Sequence, residues 1–557
     1  MNRYICLMFV FFLGVSCSDF LEEQSQDLAY VTSINDLDEL LIGSCYPDLG
    51  TGTEANAYSI ALQSNDYGYY LHAMDDDTEP YAARYDDNST FWRVAGFHWW
   101  QQDPFYARTQ EIEDLAWKTY YKHIAVLNAL LVSIEEFQEE DNYKRVKGEA
   151  HFLRAYYYFM LVNIYAKPYS KETAATDLGV PLKTTEYVED IKYGRATVEE
   201  VYALITDDLK EAITNLTGVE QKSVRRASVF AANALLSRVY LYMGEWELAE
   251  KQCDEVLTQG IFRLEDYNGL AHAWCGLKST FDQLVQMGYT EAMALQYLQM
   301  AAIPVDLTQT AAGVVRTTSP ETIFAQGLNR LHTYVMVPNV SIGGAPGGGP
   351  RGIAMSYKVS DELRNSYEEG DRRARLYLPG DQLAMFWISS KYGDFYEQVG
   401  MNNDVTADVG TMRLSEVYLN KAEALAMQDR DGEAAAVLKE LRDKRFESGK
   451  SHEITETGRD LIDKIRWERR WELCFEGHRW FDLRRYAVSP KYADSKSIRH
   501  AYYENGGNNT AVLTGYYVLG TYDADAEAYV LPIPKYAMEY NDGVMVDNVR
   551  KPRNLSE

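Results

Sequence analysis

The sequence predicts a mainly α fold, in which paired helices form a scaffold and large irregular loop excursions lie over it. Three observations predict this. Residues 104–136, 148–165, 198–216 and 228–242 carry apolar side chains at helical spacing. Residues 48–106 hold neither a helical nor an alternating period, yet are crowded with Tyr and Trp. Residues 261–410 are again weakly periodic and loop-rich. A chain of 557 residues is long enough for three or four domains. The irregular stretches nevertheless read as excursions from one helical body, not as separate units.

Taken in order, residues 1–16 read as a secretory signal. Arg3 supplies the positive end, 5–13 are apolar, and Gly14, Val15 and Ser16 precede Cys17. The apolar run is too short to span a bilayer. Cys17 is the expected lipidation site, although Leu13 stands four residues before it instead of the usual three. Residues 27–46 predict an acidic amphipathic helix capped by Ser33 or Asn35. An irregular segment as aromatic as 48–106 predicts a functional surface, because a disordered linker would lack aromatic residues. Residues 148–165 are apolar nearly all round and predict a buried central helix.

The run Ala232…Leu236…Tyr240…Gly244-Glu-Trp-Glu-Leu-Ala249 resembles a tetratricopeptide unit, with Gly at the turn and Trp covering it. Residues 414–427 and 432–445 predict a second such pair. Pairs of this kind bury their faces only by stacking.

The stretch 465–485 organises the C-terminal part. On a helix, Ile462, Ile465 and Leu473 share one face and Trp467, Trp471 and Phe475 a second, with Arg469, Glu472 and Glu476 among them. Charges on an apolar face must be paired, which predicts a buried Arg–Glu network with Arg469 and Glu472 as its nearest local pair. Gly477 is expected to stop the helix, and Trp480-Phe481-Asp482 to fold back as an aromatic corner.

The formal charge of −28 argues against nucleic acid and anionic membranes as partners. The 43 tyrosines, against 19 Phe and 10 Trp, suit wet polar ligands and interfaces. Four cysteines (Cys45, Cys253, Cys275, Cys474) remain after Cys6 and Cys17, with no CxxC spacing. Cys253 and Cys474 are expected to be inert core thiols, and a disulfide at Cys45 or Cys275 stays open. The Gly-rich run 343–352 lacks the Lys-Ser/Thr ending that reaches phosphates. The nine histidines form no ligand cluster, and His98 is expected at the surface. Asp75-Asp-Asp77 reads as a solvated turn in preference to a calcium site. No cofactor is expected. What remains is binding by flat aromatic faces with polar edges. Trp99, Trp100, Tyr81, Tyr85 and Trp274 are the candidate platforms, and Asn65, Asp66 and Asp103 the polar edges.

Residues 468–485, Glu-Arg-Arg-Trp-Glu-Leu-Cys-Phe-Glu-Gly-His-Arg-Trp-Phe-Asp-Leu-Arg-Arg, resemble the C-terminal signature of the SusD/RagB family. Arg154-Ala-Tyr-Tyr-Tyr-Phe159 resembles a helix motif of the same family, Leu531-Pro-Ile-Pro534 with Asn541 its terminal segment, and the N-terminus its lipoprotein signal. Ser18-Asp-Phe-Leu-Glu-Glu23 is similar to the start of surface-exported lipoproteins.

The resemblance implies four helix pairs and a signal at 1–16. It also implies one SusD-like domain over 17–557, with an N-terminal part to about 250 and a C-terminal part from about 251. It implies a lipid-anchored, cell-surface protein of the outer membrane, without catalytic activity. Such a protein captures oligosaccharide for a TonB-dependent, SusC-like transporter. Oligopeptide capture is the alternative, and a secreted glycan hydrolase the alternative of another class. A local Arg patch at Arg372, Arg373 and Arg375 would be needed for an anionic polysaccharide.

Overall fold

The computed structural model of the chain describes residues 31–47, 67–68, 70–80, 89–107, 110–111, 113–187, 190–221, 223–270, 284–300, 313–327, 331, 357–378, 391–392, 409–507 and 510–557. The first helix, α1 (Ile34–Leu40), starts where Ser33 accepts the Asp36 amide and the Asp36 carboxylate accepts the Ser33 amide in return. It runs on as a wider turn through Leu41–Cys45. A second helix, α2 (Ser89–His98), stands in the segment expected to be irregular. Among its described side chains Val94, Ala95, Phe97 and His98 are all buried, so this stretch alternates neither with a helical nor with a strand period.

Eight longer helices then stack in order. They are α3 (Leu115–Ser133), α4 (Tyr143–Tyr165), α5 (Val198–Leu216), α6 (Val229–Met243), α7 (Trp246–Leu257), α8 (Leu414–Met427), α9 (Asp431–Asp443) and α10 (Gly458–Leu473). Each packs on the next, and α8 also packs on α10. As the all-round apolar pattern predicts, α4 is central and buries nearly every side chain from Val146 to Tyr165. The tetratricopeptide-like turn is formed as expected. Gly244 takes a left-handed φ of 72° between α6 and α7, and a Cβ there would sit 3.3 Å from the Trp246 ring. No described helix is long and apolar enough to cross a membrane.

Short antiparallel ribbons tie the excursions down. They are β1 (Thr78–Pro80), β2 (Tyr106–Ala107), β3 (Gln110–Glu111), β4 (Thr322–Phe324), β5 (Tyr357–Val359), β6 (Met412–Arg413), β7 (Ile498–Asn505) and β8 (Ala511–Leu519). They pair as β1–β5, β2–β3, β4–β6 and the hairpin β7–β8. Cys45, Cys253 and Cys474 are buried free thiols, each pushed up to about 12 by burial. Cys275 and the 343–352 run lie outside the described residues.

The expected charge network exists, with different partners. Arg469 does not meet Glu472. It donates to Asp482 at 2.9 Å and to Asn420 at 2.7 Å. Glu472 instead receives Arg445 at 2.9 Å, Arg413 at 3.1 Å and Arg373 at 3.2 Å. Three residues apart on a helix that is buried on several faces, the two side chains answer to different neighbours. Arg373 is fully buried in this network, so the Arg372–Arg375 run offers no open basic patch through it.

Helix α10 ends at Leu473, before Gly477: Cys474 leaves the helical backbone with a ψ of 140°, and Phe475 follows with a left-handed φ of 61°. The expected aromatic corner is a helix, α11 (Arg479–Ala487), with Trp480 and Phe481 buried.

Candidate functional site

The end of α2 sets the geometry. Trp100 holds a φ of 48°, a conformation that side chains with a Cβ adopt only when their surroundings demand it. Its indole N–H donates to the Met74 carbonyl at 2.9 Å and its ring stacks on His500, with ring centres 4.3 Å apart. The Trp99 indole donates to the Ala501 carbonyl at 3.3 Å and meets Tyr502 edge-on at 5.0 Å. Trp99 is 5% exposed and Trp100 1%. Both fasten α2 to the β7–β8 hairpin, and neither ring presents an open face.

His98 is buried too, not at the surface. Its Nδ1 meets the Ala73 carbonyl at 2.7 Å, and its ring stacks on His500 at 3.7 Å. Burial pulls His500 down to about 4, and burial with the neighbouring His500 pulls His98 well below the ordinary value.

The native imidazoles therefore stay neutral while an unfolded imidazole takes its proton near pH 6.5. Their contribution is present above that pH and is lost as pH falls, for His500 toward about 4. Asp114, raised to about 6 chiefly by burial, acts in the opposite sense, so the comparison must be between variants. His500→Asn is expected to flatten the fall in unfolding free energy between pH 6.5 and 4 by up to about 1.4 kcal/mol per pH unit. Urea titrations of both proteins across that range check it.

Asp75, Asp76 and Asp77 are buried, which overturns the solvated turn. Asp76 receives Arg479 at 2.6 Å, and Asp77 receives Arg470 at 2.8 Å. No cluster of three or more His, Cys, Asp or Glu suited to a metal ion occurs among the described residues.

After Trp100 the chain turns sharply back. Gly96 permits this, since a Cβ there would stand 2.5 Å from the Pro104 carbonyl oxygen. The turn presents Asp103, its side chain 41% exposed, at the rim of a cleft of about 810 Å³. That volume lies within the range of small-ligand sites, about 300–1,000 Å³. Phe105 and the Pro532-Ile533-Pro534 segment form its apolar wall, and Lys535 bridges Asp103 at 3.2 Å to Glu111 at 3.0 Å. Six carboxylates (Asp103, Glu111, Glu113, Asp114, Glu539, Asp547) line it against Lys535 and Arg550. Burial lowers Arg550 to about 9.

Asp114 is where a general acid would be sought. Its oxygens are already engaged, one by the amides of Ala116 and Trp117 at the start of α3 and the other by the Tyr165 hydroxyl. It is a helix cap.

Of the candidate residues, the structure thus brings Asp103 to a cleft and places Trp99 and Trp100 inside the packing behind it. Tyr81, Tyr85, Trp274, Asn65, Asp66 and the lipidation candidate Cys17 lie outside the described residues. Lys535, Tyr536 and Ile533 were missed as lining residues. The Leu531–Pro534 motif carried the only signal for them, and it read as a family mark without a position in space.

Residues 56–241 match the SusD-like family model described as "Starch-binding associating with outer membrane", and residues 378–549 match the SusD family model. A SusD-like protein of Formosa agariphila is 25% identical over 401 residues, 67% of this chain and 72% of that protein. Another from Bacteroides ovatus is 22% identical over 484 residues, 78% of this chain and 77% of that protein. A SusD superfamily crystal structure from Bacteroides thetaiotaomicron superposes with a TM-score of 0.61 at 22% identity, covering 93% of this chain and 100% of that one. A laminarin-binding SusD-like protein superposes with a TM-score of 0.51 at 20% identity, covering 86% and 93%. The structural likenesses carry the fold. The two family models, one in each half and together covering more than half of the sequence, span three of the motifs read from it, those at 154–159, 468–485 and 531–541: the chain belongs to the SusD/RagB family, a carbohydrate-binding family associated with the outer membrane.

Proposed function

We propose that this chain is a cell-surface nutrient-binding lipoprotein, anchored through acyl groups on Cys17. In this reading it captures oligosaccharide and passes it to a SusC-like, TonB-dependent transporter. Family membership in both halves of the chain carries the reading. The described laminarin binding of a protein with the same fold supports a glycan ligand. Tyr81, Tyr85 and Trp274 would serve as stacking platforms, and Asn65, Asp66 and Asp103 as polar edges. Trp99 and Trp100 would hold the Asp103 turn in place from behind, as their burial suits. Binding, not catalysis, is the role.

One observation favours a second reading. Six carboxylates around the Asp103 cleft suit a cationic ligand, which makes oligopeptide the runner-up. Titration of the lipid-free chain against neutral oligosaccharides and basic peptides separates the two. A glycan that binds, and is weakened about tenfold by Asp103→Ala with an unchanged thermal midpoint, is the expected result; the loss corresponds to one hydrogen bond to a charged group. Binding of basic peptides alone would move the assignment to peptide capture. Release of shortened glycan would point to the hydrolase instead.

A further inference from the structure

Beside the Asp103 cleft the surface turns aliphatic. Residues 541–549 are fastened to the 190–195 segment: the Asn541 side chain accepts the Tyr193 amide at 2.7 Å, and Arg195 donates to the Val546 carbonyl at 3.1 Å. Gly194 allows the close approach, since a Cβ there would stand 3.3 Å from the Val544 side chain. Met545 anchors the run in the core, yet Val544, Val546 and Val549 are 45%, 54% and 81% exposed. Leu178, Ile191 and Tyr540 are exposed on the same joined segments, Leu178 being tied in where its carbonyl accepts Arg195 at 2.8 Å. Apolar residues exposed singly are ordinary, but a group of them inside a charged rim marks an interaction surface.

The rim is acidic. Asp190, Glu539, Asp542 and Asp547 all stand exposed on these segments or next to them. The two cations within 190–195 are engaged by backbone carbonyls, Lys192 by Asp542 at 2.7 Å and Arg195 by Gly179 at 2.6 Å.

This composition selects the occupant. Every apolar side chain of the group except Tyr540 is aliphatic and offers a sugar no flat ring. A second copy would bring the same carboxylates against themselves across a two-fold interface. An anionic lipid surface is repelled in the same way. What fits is a protein surface with an apolar centre and a basic rim. Position narrows it further. Asp547, Asn548 and Val549 also line the Asp103 cleft, so whatever sits on the patch stands at the mouth of the cleft, where a partner that receives the ligand has to be.

We propose that this aliphatic patch is the docking surface for the transporter, with apolar contact at Ile191, Val544 and Val546 and the transporter's Lys or Arg side chains on the carboxylate rim. The proposal rests on the transport reading and adds to it the place where the two proteins meet.

Affinity-tagged full chain, recovered from the native outer membrane in mild detergent, tests it. A SusC-like transporter, identified by mass spectrometry, is expected to come with the wild type. The purified transporter is then titrated against the chain and two double variants. Ile191→Lys with Val546→Lys is expected to weaken binding about tenfold or more at an unchanged thermal midpoint, since both side chains are exposed. Asp190→Lys with Asp542→Lys is expected to slow association and to flatten its salt dependence. Should the midpoint of the first variant fall, the second carries the test. Binding by a stable first variant within about twofold of wild type, or an unchanged salt dependence in the second, would overturn the proposal and leave the transport reading standing. So would a dimer of the chain, or binding to phosphatidylcholine vesicles, that the first variant abolishes, because the patch would then belong to a second copy or to lipid. A wild-type chain that brings no such transporter with it would overturn the transport reading together with the surface.

Discussion

Glu472→Gln is expected to destabilise the chain by about 3–5 kcal/mol, the usual cost of removing one partner from a buried ion pair. The change keeps the side chain's shape, removes its charge and turns one acceptor oxygen into an amide donor facing the arginines. Arg445, Arg413 and Arg373 all converge on this one carboxylate, and all four residues are at most 2% exposed. Glu321 and Glu476 would remain beside Arg445 and Arg413, and Asp371 beside Arg373, which keeps the loss finite.

Burial works to raise the Glu472 carboxyl, but Arg445 and Arg413 outweigh it and hold it well below the ordinary range. A carboxyl depressed in the folded state contributes stability above its unfolded value, and that contribution is lost as pH falls through the folded one. The variant should therefore be weakest relative to wild type at neutral pH and converge with it in acid. Urea unfolding at pH 7, repeated at descending pH, reads both effects. A loss under 1 kcal/mol at pH 7 would mean that the three arginines are satisfied without Glu472.

Asp76→Asn is expected to cost a similar amount, about 3–5 kcal/mol, through a different consequence. Asp76 receives Arg479 at 2.6 and 2.8 Å and Arg470 at 3.1 Å, and Lys496 pairs with it as well. Against burial, Arg470 and Arg479 hold its carboxyl well below the ordinary range. Its neighbour Asp75 is pushed well above that range by burial and by the charges of Asp77 and Asp76. Neutralising Asp76 removes one of those charges, so part of the loss should be returned through Asp75 and the measured value should fall toward the lower figure. The damage should concentrate where the 70–80 segment meets α10 and α11. Amide hydrogen exchange is expected to quicken at residues 71–79 before it quickens in α4. Equal acceleration throughout would show that this segment is no separate unit of stability.

The helical scaffold was legible because its signals are local. A 3.6-residue period, the Ser33 cap and the Gly244–Trp246 turn each act within a few residues. The presence of a charge network was legible too, since Arg469, Glu472 and Glu476 sit at apolar positions. Its partners were not. Arg445, Arg413 and Arg373 reach Glu472 across 27, 59 and 99 residues, and no spacing rule ranks such pairs.

The candidate site was half legible for the same reason. Aromatic density in 48–106 marked an unusual segment, but density does not distinguish a platform from a bolt. Trp99 and Trp100 are bolts because Ala501 and His500 come from the far end of the sequence to cover them. Asp75–Asp77 read as solvated for want of Arg470 and Arg479, some 400 residues away.

These same long reaches have a consequence for the order of assembly. Asp76 meets Arg479 across 403 residues, Asp77 meets Arg470 across 393, and Trp99 meets the Ala501 carbonyl across 402. Closing loops of that length is slow, and the contacts that reward closure do not exist until both ends are present. The N-terminal segment can therefore lock only after nearly the whole chain has emerged. Were the chain exported unfolded, as the proposed function implies, a final clasp at the trailing end would keep its leading end open until the crossing is almost complete.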